Sequence, residues 1–456
     1  MPGAASKMVY KIIVISGQLL ILLSPKPSMK KIIFICFTVI SVIARAQTEP
    51  QAYNAAVGKF TAFYNSNKPD SIYKLFGGPM KAALSPDAWK ATASQLKSQL
   101  GTLQQNTFVS YQAPVALYTS AFQNASLSMS ISLDKDNLIV GLLFKPIVQS
   151  DPVADKPFDP SLVESPITQK IASGVIVGTL TTPKDMTGKI PVVLIIAGSG
   201  PTDRNGNNLK MDLNTNAYRE LAEQLGKNGI ASLRYDKRAI GASQTTNKES
   251  NLRFDDYVDD AVGWIQILND DQRFSKIIVI GHSEGSLVGM LACRDQPVKG
   301  FISLAGAGER ADKILTDQLK TRSQTIQDNF KTLIDSMKRG KTIDNIDPSL
   351  WFIARPTIQH YLMSWFRYDP QRFIHLVKAP TLIIQGNTDL QVSTDNAEKL
   401  KKGKSDAQLL IIPNMNHILK EAPADRDQNL ATYNKPDLPL KAELVPAIVK
   451  FINGIN

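Results

Sequence analysis

A short motif in the sequence has the residue types and the spacing that present a nucleophilic serine. Gly281-His282-Ser283-Glu284-Gly285 follows an apolar run at 277–280 and precedes a stretch of small residues that begins at Ser286. A strand that turns sharply into a helix, with glycine on both sides, lets a serine sit at the turn without side-chain clashes. The alternative is an ordinary glycine-rich turn, but such a turn needs neither the strand before the motif nor the helix after it. The motif predicts Ser283 as a nucleophile at a helix N-terminus, where the helix dipole favours an attacking alkoxide.

A serine at its ordinary pKa needs an adjacent base, and the sequence has four histidines. His417 follows the apolar run at 409–412, on a loop where the end of a strand places functional groups. We therefore predict His417 as the general base. We expect His282, inside the motif, to point away from the serine chemistry. The remaining two histidines lie in or beside a helical segment, ahead of any late acid: His360 and His375.

An acid that orients the base is expected between the serine and the histidine in chain order. The apolar run at 381–385 is followed by Gly386-Asn387-Thr388-Asp389, which places Asp389 at the end of a strand. Ser283, Asp389 and His417 thus occur in the order serine, acid, histidine. The sequence predicts that these three side chains meet at one edge of a sheet.

Residues 167–456 resemble the α/β hydrolase superfamily in the G-H-S-x-G motif, the G-x-x-D turn and the late histidine. The resemblance implies an α/β fold, a doubly wound and mostly parallel sheet with a helical lid insertion. It also implies that Ser283 is the nucleophile, that His417 acts as general base and then acid, and that Asp389 holds the imidazole tautomer.

An oxyanion hole requires two backbone N–H donors. The resemblance implies that Glu284, after the nucleophile, supplies one, and that Ser199 in the loop 197–207 supplies the other. Ala197 stands where that family's loop usually has histidine, so the choice between Ser199 and Gly200 stays open. The Glu284 carboxylate would oppose a developing oxyanion unless its side chain turns to the helix dipole.

The mature chain divides by its hydrophobic pattern into two domains. In the second, short apolar runs alternate with helical patterns, which is typical of a parallel sheet covered on both faces. A proline-rich stretch at 147–166 predicts a linker before it. A helical segment at about 308–375 interrupts the alternation and is interpreted as the lid insertion.

Residues 47–146 predict a small α+β domain, because two helical stretches are followed by strands of period two. Gly101 marks the end of the second helical stretch, and the turn 134–137 joins two of the strands. This segment resembles the DUF3887 family, which has an NTF2-like look and precedes hydrolase domains in secreted bacterial proteins. No catalytic motif occurs in it.

Six of the eleven net positive charges of the 456-residue chain lie in residues 1–46, which contain no acidic residue. From Met29 the sequence has a basic start, an apolar run of roughly a dozen residues and Ala44-Arg45-Ala46, the three parts of a signal peptide. That run is shorter than the ~20 residues that span a bilayer. We expect translation to start at Met29, cleavage before Gln47, and an exported protein, periplasmic or extracellular. The modest charge that remains gives nucleic-acid binding no support.

These patterns predict a serine hydrolase that cleaves small or short-chain carboxylic esters through an acyl-enzyme. A serine peptidase of the prolyl aminopeptidase kind and a ligand-binding protein with an inert hydrolase domain stay as alternatives. We expect a small-molecule ester as partner, and no metal or cofactor. The two cysteines, Cys36 and Cys293, exclude a cysteine-based zinc site. An acidic cluster fits the first turns of an amphipathic helix better than a metal site: Asp255, Asp256, Asp259 and Asp260.

Overall fold

The computed structural model describes residues 48–112, 114–146, 158–208 and 213–455. The predicted signal peptide and residues 147–157 of the predicted linker lie outside these ranges. No helix among the described residues has the length and apolar character needed to cross a membrane.

The small domain consists of four helices and an antiparallel sheet. The sheet order is the chain order of its four strands, and its buried face carries alternate residues such as Tyr118, Met129 and Ile131. Gly101 has a φ of +74° where the last helix ends, as the helix-stop prediction requires. The elements are α1 Gln51–Asn65, α2 Pro69–Lys74, α3 Gly78–Ala83, α4 Pro86–Leu100, β1 Leu103–Gln112, β2 Val115–Phe122, β3 Ser126–Leu133 and β4 Ile139–Pro146.

The large domain is built on a nine-stranded mixed sheet. Its strands are β5 Leu162–Ile171, β6 Gly174–Pro183, β7 Ile190–Ile196, β8 Ala231–Tyr235, β9 Gln244–Thr245, β10 Phe274–His282, β11 Val298–Leu304, β12 Thr381–Gly386 and β13 Gln408–Ile412. The order is β13-β12-β11-β10-β7-β8-β6-β5, with β9 paired to β6. The six strands from β13 to β8 are parallel to one another, whereas β5, β6 and β9 pair antiparallel. The prediction of a mostly parallel sheet is confirmed.

The predicted linker extends too far. Residues 162–166 belong to β5, where Pro166 pairs with Thr179 of β6. Strand β5 lies at the edge of the sheet, and an edge strand tolerates proline because one row of its backbone groups needs no N–H. The proline count therefore overstated the length of the linker.

Helices cover both faces of the large sheet. Alternate residues of β7 belong to different hydrophobic clusters: Val192 and Leu194 lie in one, Val193 and Ile195 in the other. A strand buried on both faces reads as a continuous apolar run, which is why its position could be predicted. The helices outside the insertion are α5 Ala217–Lys227, α6 Phe254–Asp270, α7 Glu284–Ala292, α13 Thr394–Gly403, α14 Arg426–Leu430 and α15 Leu444–Asn453.

A helical insertion joins β11 to β12, in the segment where the sequence predicts one. It packs on α6, where the Trp365 ring stacks on Phe254 at 5.8 Å and the Ser364 hydroxyl accepts from the Phe254 N–H at 2.8 Å. The contact fixes the insertion to the body of the large domain. Its α-helices are α8 Ala311–Gln318, α9 Gln324–Lys338, α10 Trp351–Ala354, α11 Gln359–Trp365 and α12 Pro370–Phe373.

Candidate active site

Ser283 occupies a strained turn between β10 and α7. Its φ of 55° and ψ of −120° are rare for a residue with a side chain, and strain of this kind costs on the order of 1–3 kcal/mol. A Cβ on Gly281 would lie closer than 3.0 Å to the Gly285 carbonyl oxygen, and one on Gly285 would lie 2.6 Å from the Ala197 carbonyl oxygen. Both glycines of the motif are therefore required by close backbone approach. The Ser283 N–H donates to the Leu304 carbonyl of β11 at 2.9 Å, which ties the turn to the sheet.

The three side chains predicted to meet form one hydrogen-bonded chain. Nε2 of His417 lies 3.1 Å from the Ser283 Oγ, and Nδ1 of His417 lies 2.8 Å from Oδ2 of Asp389. An ionised carboxylate only accepts, so the imidazole donates through Nδ1 and leaves Nε2 free to accept the serine proton. This is the tautomer that a general base needs.

Asp389 is held ionised and oriented by several donors. Its side chain is fully buried, and its Oδ1 accepts the N–H groups of Gln391 at 2.7 Å and Val392 at 2.9 Å. The amide of Gln385 donates to Oδ2 at 2.9 Å. Burial opposes the charged form, but His417 and the two N–H donors outweigh it and lower the pKa of Asp389.

The loops that carry the acid and the base are joined to each other. Asn387 accepts the Asn414 N–H at 2.7 Å through its side chain, and the Thr388 N–H donates to the Met415 carbonyl at 3.3 Å. Gly386 permits this approach, because a Cβ there would lie closer than 3.0 Å to the Met415 carbonyl. Parallel pairing of β12 with β13 brings the two loops side by side.

His282 is part of the site, although its ring binds groups other than the serine hydroxyl. Its Nε2 lies 2.8 Å from the His417 carbonyl oxygen, and its Nδ1 lies 2.8 Å from the Tyr218 hydroxyl. Burial, with a further contribution from His417, lowers the pKa of His282 to about 3, so its ring is neutral.

The loop expected to complete the oxyanion hole lies beside the nucleophile. A Cβ on Gly198 would be 3.1 Å from the Ser283 Cβ, and Ser199 next to it is exposed. Glu284 is the first residue of α7, so the sequence places its N–H among the helix donors that lack an intrahelical acceptor.

The side chain of Glu284 is buried and paired. Its Oε1 lies 2.9 Å from Nζ of Lys237, and its Oε2 accepts from the Tyr361 hydroxyl at 2.6 Å. The Lys237 ammonium also lies over the Tyr257 ring, 4.6 Å from its centroid. A neighbouring cation and a hydroxyl donor therefore compensate the carboxylate charge that was expected to oppose an oxyanion.

Two families match different parts of the chain. Residues 213–422 match the serine aminopeptidase S33 family, and residues 57–142 match DUF3887, a family of unknown function. Together with the strand order and the turn at Ser283, the first match identifies the fold of the large domain. It is the α/β hydrolase fold. The second match confirms the prediction for the small domain.

The chain is similar to one curated protein and to many solved structures. It is 23% identical to esterase EstD of Thermotoga maritima over 384 residues, which cover 81% of this chain and 88% of that one. Est1E of Butyrivibrio proteoclasticus with bound ferulic acid is 19% identical at a TM-score of 0.45, and covers 63% of this chain and 99% of its own. Proline iminopeptidase of Mycobacterium smegmatis is 14% identical at a TM-score of 0.42, with 63% and 98% covered.

Charged residues after β8 form ion pairs with the loop after β7 and with α6. Asp236 binds Arg204 of the loop after β7 at 2.6 Å, and Arg238 binds Asp256 and Asp260 of α6, each at 2.7 Å. Burial raises the pKa of Asp260 to about 6 despite this pairing.

Among the described residues, no group of three or more His, Cys, Asp or Glu could hold a metal ion.

Sequence reasoning missed three residues around the hydrolase site. They are Tyr218 in α5, Lys237 in the loop after β8 and Tyr361 in α11, and they follow no motif. One signal was available: Glu284 opens an otherwise apolar helix, and a buried carboxylate requires a cation or several donors. Which residues supply them depends on the tertiary fold.

Proposed function

We propose that this protein is a serine carboxylic ester hydrolase that works through an acyl-enzyme. The observation that carries the proposal is the chain from Ser283 through His417 to Asp389, with distances of 3.1 and 2.8 Å. Similarity to esterase EstD over 81% of the chain supports ester over other substrates.

The geometry supports a two-step reaction. Ser283 Oγ attacks the ester carbonyl carbon while its proton moves to Nε2 of His417. The tetrahedral intermediate then collapses, and His417 returns that proton to the leaving alcohol. Water then attacks the acyl-enzyme while His417 takes its proton. As the second tetrahedral intermediate collapses, the bond to Ser283 Oγ breaks, His417 gives that proton to Oγ, and the carboxylic acid leaves. The N–H of Glu284, with that of Ser199 or Gly200, would stabilise the oxyanion in both steps.

The charges of the insertion favour an ester over an aminopeptidase substrate. A free-amine substrate needs an available carboxylate near the site, and three acidic residues near the start of the insertion are already paired. Glu309 pairs with Lys313 and Lys399. Asp312 pairs with Arg310 and Lys338, and Asp317 pairs with Lys320.

A panel of p-nitrophenyl esters of graded acyl length, run beside aminoacyl p-nitroanilides, tests the substrate class. We expect turnover of esters, highest for short acyl chains, and little turnover of anilides. Efficient anilide cleavage with weak ester cleavage would instead establish the peptidase.

Ser283→Ala tests the nucleophile and should lower kcat by several orders of magnitude while leaving the thermal unfolding temperature nearly unchanged. A fluorophosphonate probe should label the wild type and not this variant; an unlabelled wild type would mean an inert hydrolase domain.

We further propose that the protein is exported, that residues 1–46 are removed, and that the insertion helices act as a lid over the acyl group. The charge and apolar pattern of residues 29–46 supports export. N-terminal sequencing of the protein from the exported fraction should begin at Gln47. A mature terminus before Gln47 would contradict the proposal.

A further inference from the structure

A buried line of hydrogen bonds joins the loop after β7 to the backbone of His417. The Gly198 N–H donates to the Tyr218 hydroxyl oxygen at 3.2 Å. That hydroxyl lies 2.8 Å from Nδ1 of His282, and Nε2 of His282 lies 2.8 Å from the His417 carbonyl oxygen. Three loops of the site are thus connected through two side chains.

The chemistry of the end groups fixes the direction of every bond. A carbonyl oxygen only accepts, so Nε2 of His282 carries the ring proton. Since the ring is neutral, Nδ1 is then an acceptor, and the Tyr218 hydroxyl donates to it. Burial raises the pKa of Tyr218, which keeps that proton in place. The tyrosine oxygen remains free to accept the Gly198 N–H, so each group in the line has the partner its chemistry requires.

Both ends of the line are at the reacting centre. Gly198 lies against Ser283 and precedes Ser199, a candidate oxyanion donor. At the other end is His417, whose ring contacts Ser283 and Asp389 while its own carbonyl accepts from His282. Asp389 fixes the orientation of the imidazole, and His282 binds the backbone carbonyl of the same residue.

We infer that Tyr218 and His282 are positioning residues. They hold the backbone of the base His417 and the loop at Gly198 in place beside Ser283. This inference rests on the proposed hydrolase function. His282 thereby acquires a role for which the motif position alone gives no reason. Neither side chain is expected to touch the substrate.

Three substitutions separate the two halves of the line. Tyr218→Phe keeps the ring and removes the hydroxyl that serves Gly198 and His282. His282→Gln keeps an N–H near the Nε2 position, within reach of the His417 carbonyl. His282→Asn instead keeps an acceptor near the Nδ1 position for Tyr218 and loses the bond to His417. Tyr73→Phe is the control, because its hydroxyl binds only the Leu84 carbonyl of the small domain at 3.1 Å.

Kinetic constants are measured with a p-nitrophenyl ester and normalised to the fluorophosphonate-reactive fraction. We expect Tyr218→Phe to lower kcat about ten- to hundredfold with little change in KM, since misplacement of catalytic groups acts on the transition state. We expect His282→Asn to shift the acid limb of the kcat/KM pH profile as well, and His282→Gln to shift it less. Tyr73→Phe should match the wild type.

Normal kcat and an unchanged pH profile in Tyr218→Phe and His282→Asn would overturn the inference. So would equal losses in the Asn and Gln variants without any shift of the profile, because that result indicates only a packing role. Failure of the proposed function is recognised separately, since the wild type would then neither react with the probe nor cleave the ester.

Discussion

The hydroxyl of Tyr361 lies 2.6 Å from Oε2 of Glu284, so a helix of the insertion contacts the residue that follows the nucleophile. Lys237, after β8, binds the other oxygen of the same carboxylate at 2.9 Å. The side chains of Lys237 and Glu284 are only 5% and 1% exposed. One buried carboxylate therefore joins the insertion, the loop after β8 and the start of α7.

Tyr361→Phe tests the contribution of the insertion to this contact. A hydrogen bond to a charged group contributes about 1.5–3 kcal/mol, so we expect a loss of that size in the free energy of unfolding, measured in urea. Tyr433→Phe is the matched control, because its hydroxyl accepts only a long bond of 3.3 Å from the neutral Gln391 amide. Equal losses in the two variants would contradict the role given to Tyr361.

Lys237→Met leaves the Glu284 carboxylate buried without a cation. We expect the free energy of unfolding to fall by about 3–5 kcal/mol, as when one partner of a buried pair is removed. The double variant Lys237→Met, Glu284→Gln removes the charge and should be more stable than Lys237→Met alone. A double variant that is less stable than the single one would show that the ion pair is not the dominant interaction.

Asp389→Asn changes the tautomer of His417. The amide oxygen can still accept from Gln391 and Val392, but its N–H₂ group faces Nδ1 of His417 and loses the bond that Oδ2 accepts from the Gln385 amide. The imidazole then carries its proton on Nε2 and cannot accept from Ser283. We expect kcat for an ester to fall by roughly three to four orders of magnitude, and the urea midpoint to fall modestly because the bond from Gln385 is lost. A kcat within tenfold of the wild type would exclude Asp389 as the orienting acid.

His282 should make stability depend on pH. Its pKa is lowered from 6.5 to about 3 by burial, so between these values the unfolded chain takes up a proton that the folded chain does not. The stabilisation is complete above pH 6.5 and is lost as the pH falls towards 3, by up to about 1.4 kcal/mol per pH unit. Asp260, with its pKa raised to about 6, acts in the opposite direction.

Because Asp260 is present in both proteins, a comparison of the wild type with His282→Gln isolates the contribution of the histidine to the pH dependence of stability. Unfolding in urea is followed from pH 7 to pH 4, where we expect a flatter dependence for the variant. Parallel curves would mean that His282 takes up its proton at the same pH in the folded and unfolded states, which would contradict the lowered pKa.

Gly285→Ala tests the close approach at the nucleophile turn. The added Cβ would meet backbone carbonyls of residues 196 and 197, which cannot move aside as a side chain would. We expect a loss of about 1–3 kcal/mol in the free energy of unfolding and a marked fall in kcat. Gly454→Ala is the control: its φ is −80° and the nearest atoms to an added Cβ are 3.4 Å away. Similar effects at both positions would contradict the steric argument.

The large sheet and the candidate triad could be predicted from the sequence, because both depend on local patterns. Strand β7 at 190–196, for example, is one of the continuous apolar runs, since it is buried on both faces. Ser283, Asp389 and His417 each follow such a run, and parallel strands bring their ends to one edge. Strands β1, β5 and β6 were missed, because their sequences are more polar and, in β5, contain a proline that signals a linker.

The residues that surround the triad could be identified only in the folded protein. The bond from Tyr218 to His282 spans 64 positions, and that from Tyr361 to Glu284 spans 77. No periodicity connects residues so far apart, because each pair is brought together by the packing of separate elements on the sheet. The geometry of the buried polar groups around Ser283 is therefore a property of the folded chain, while the order of serine, acid and histidine is a property of the sequence.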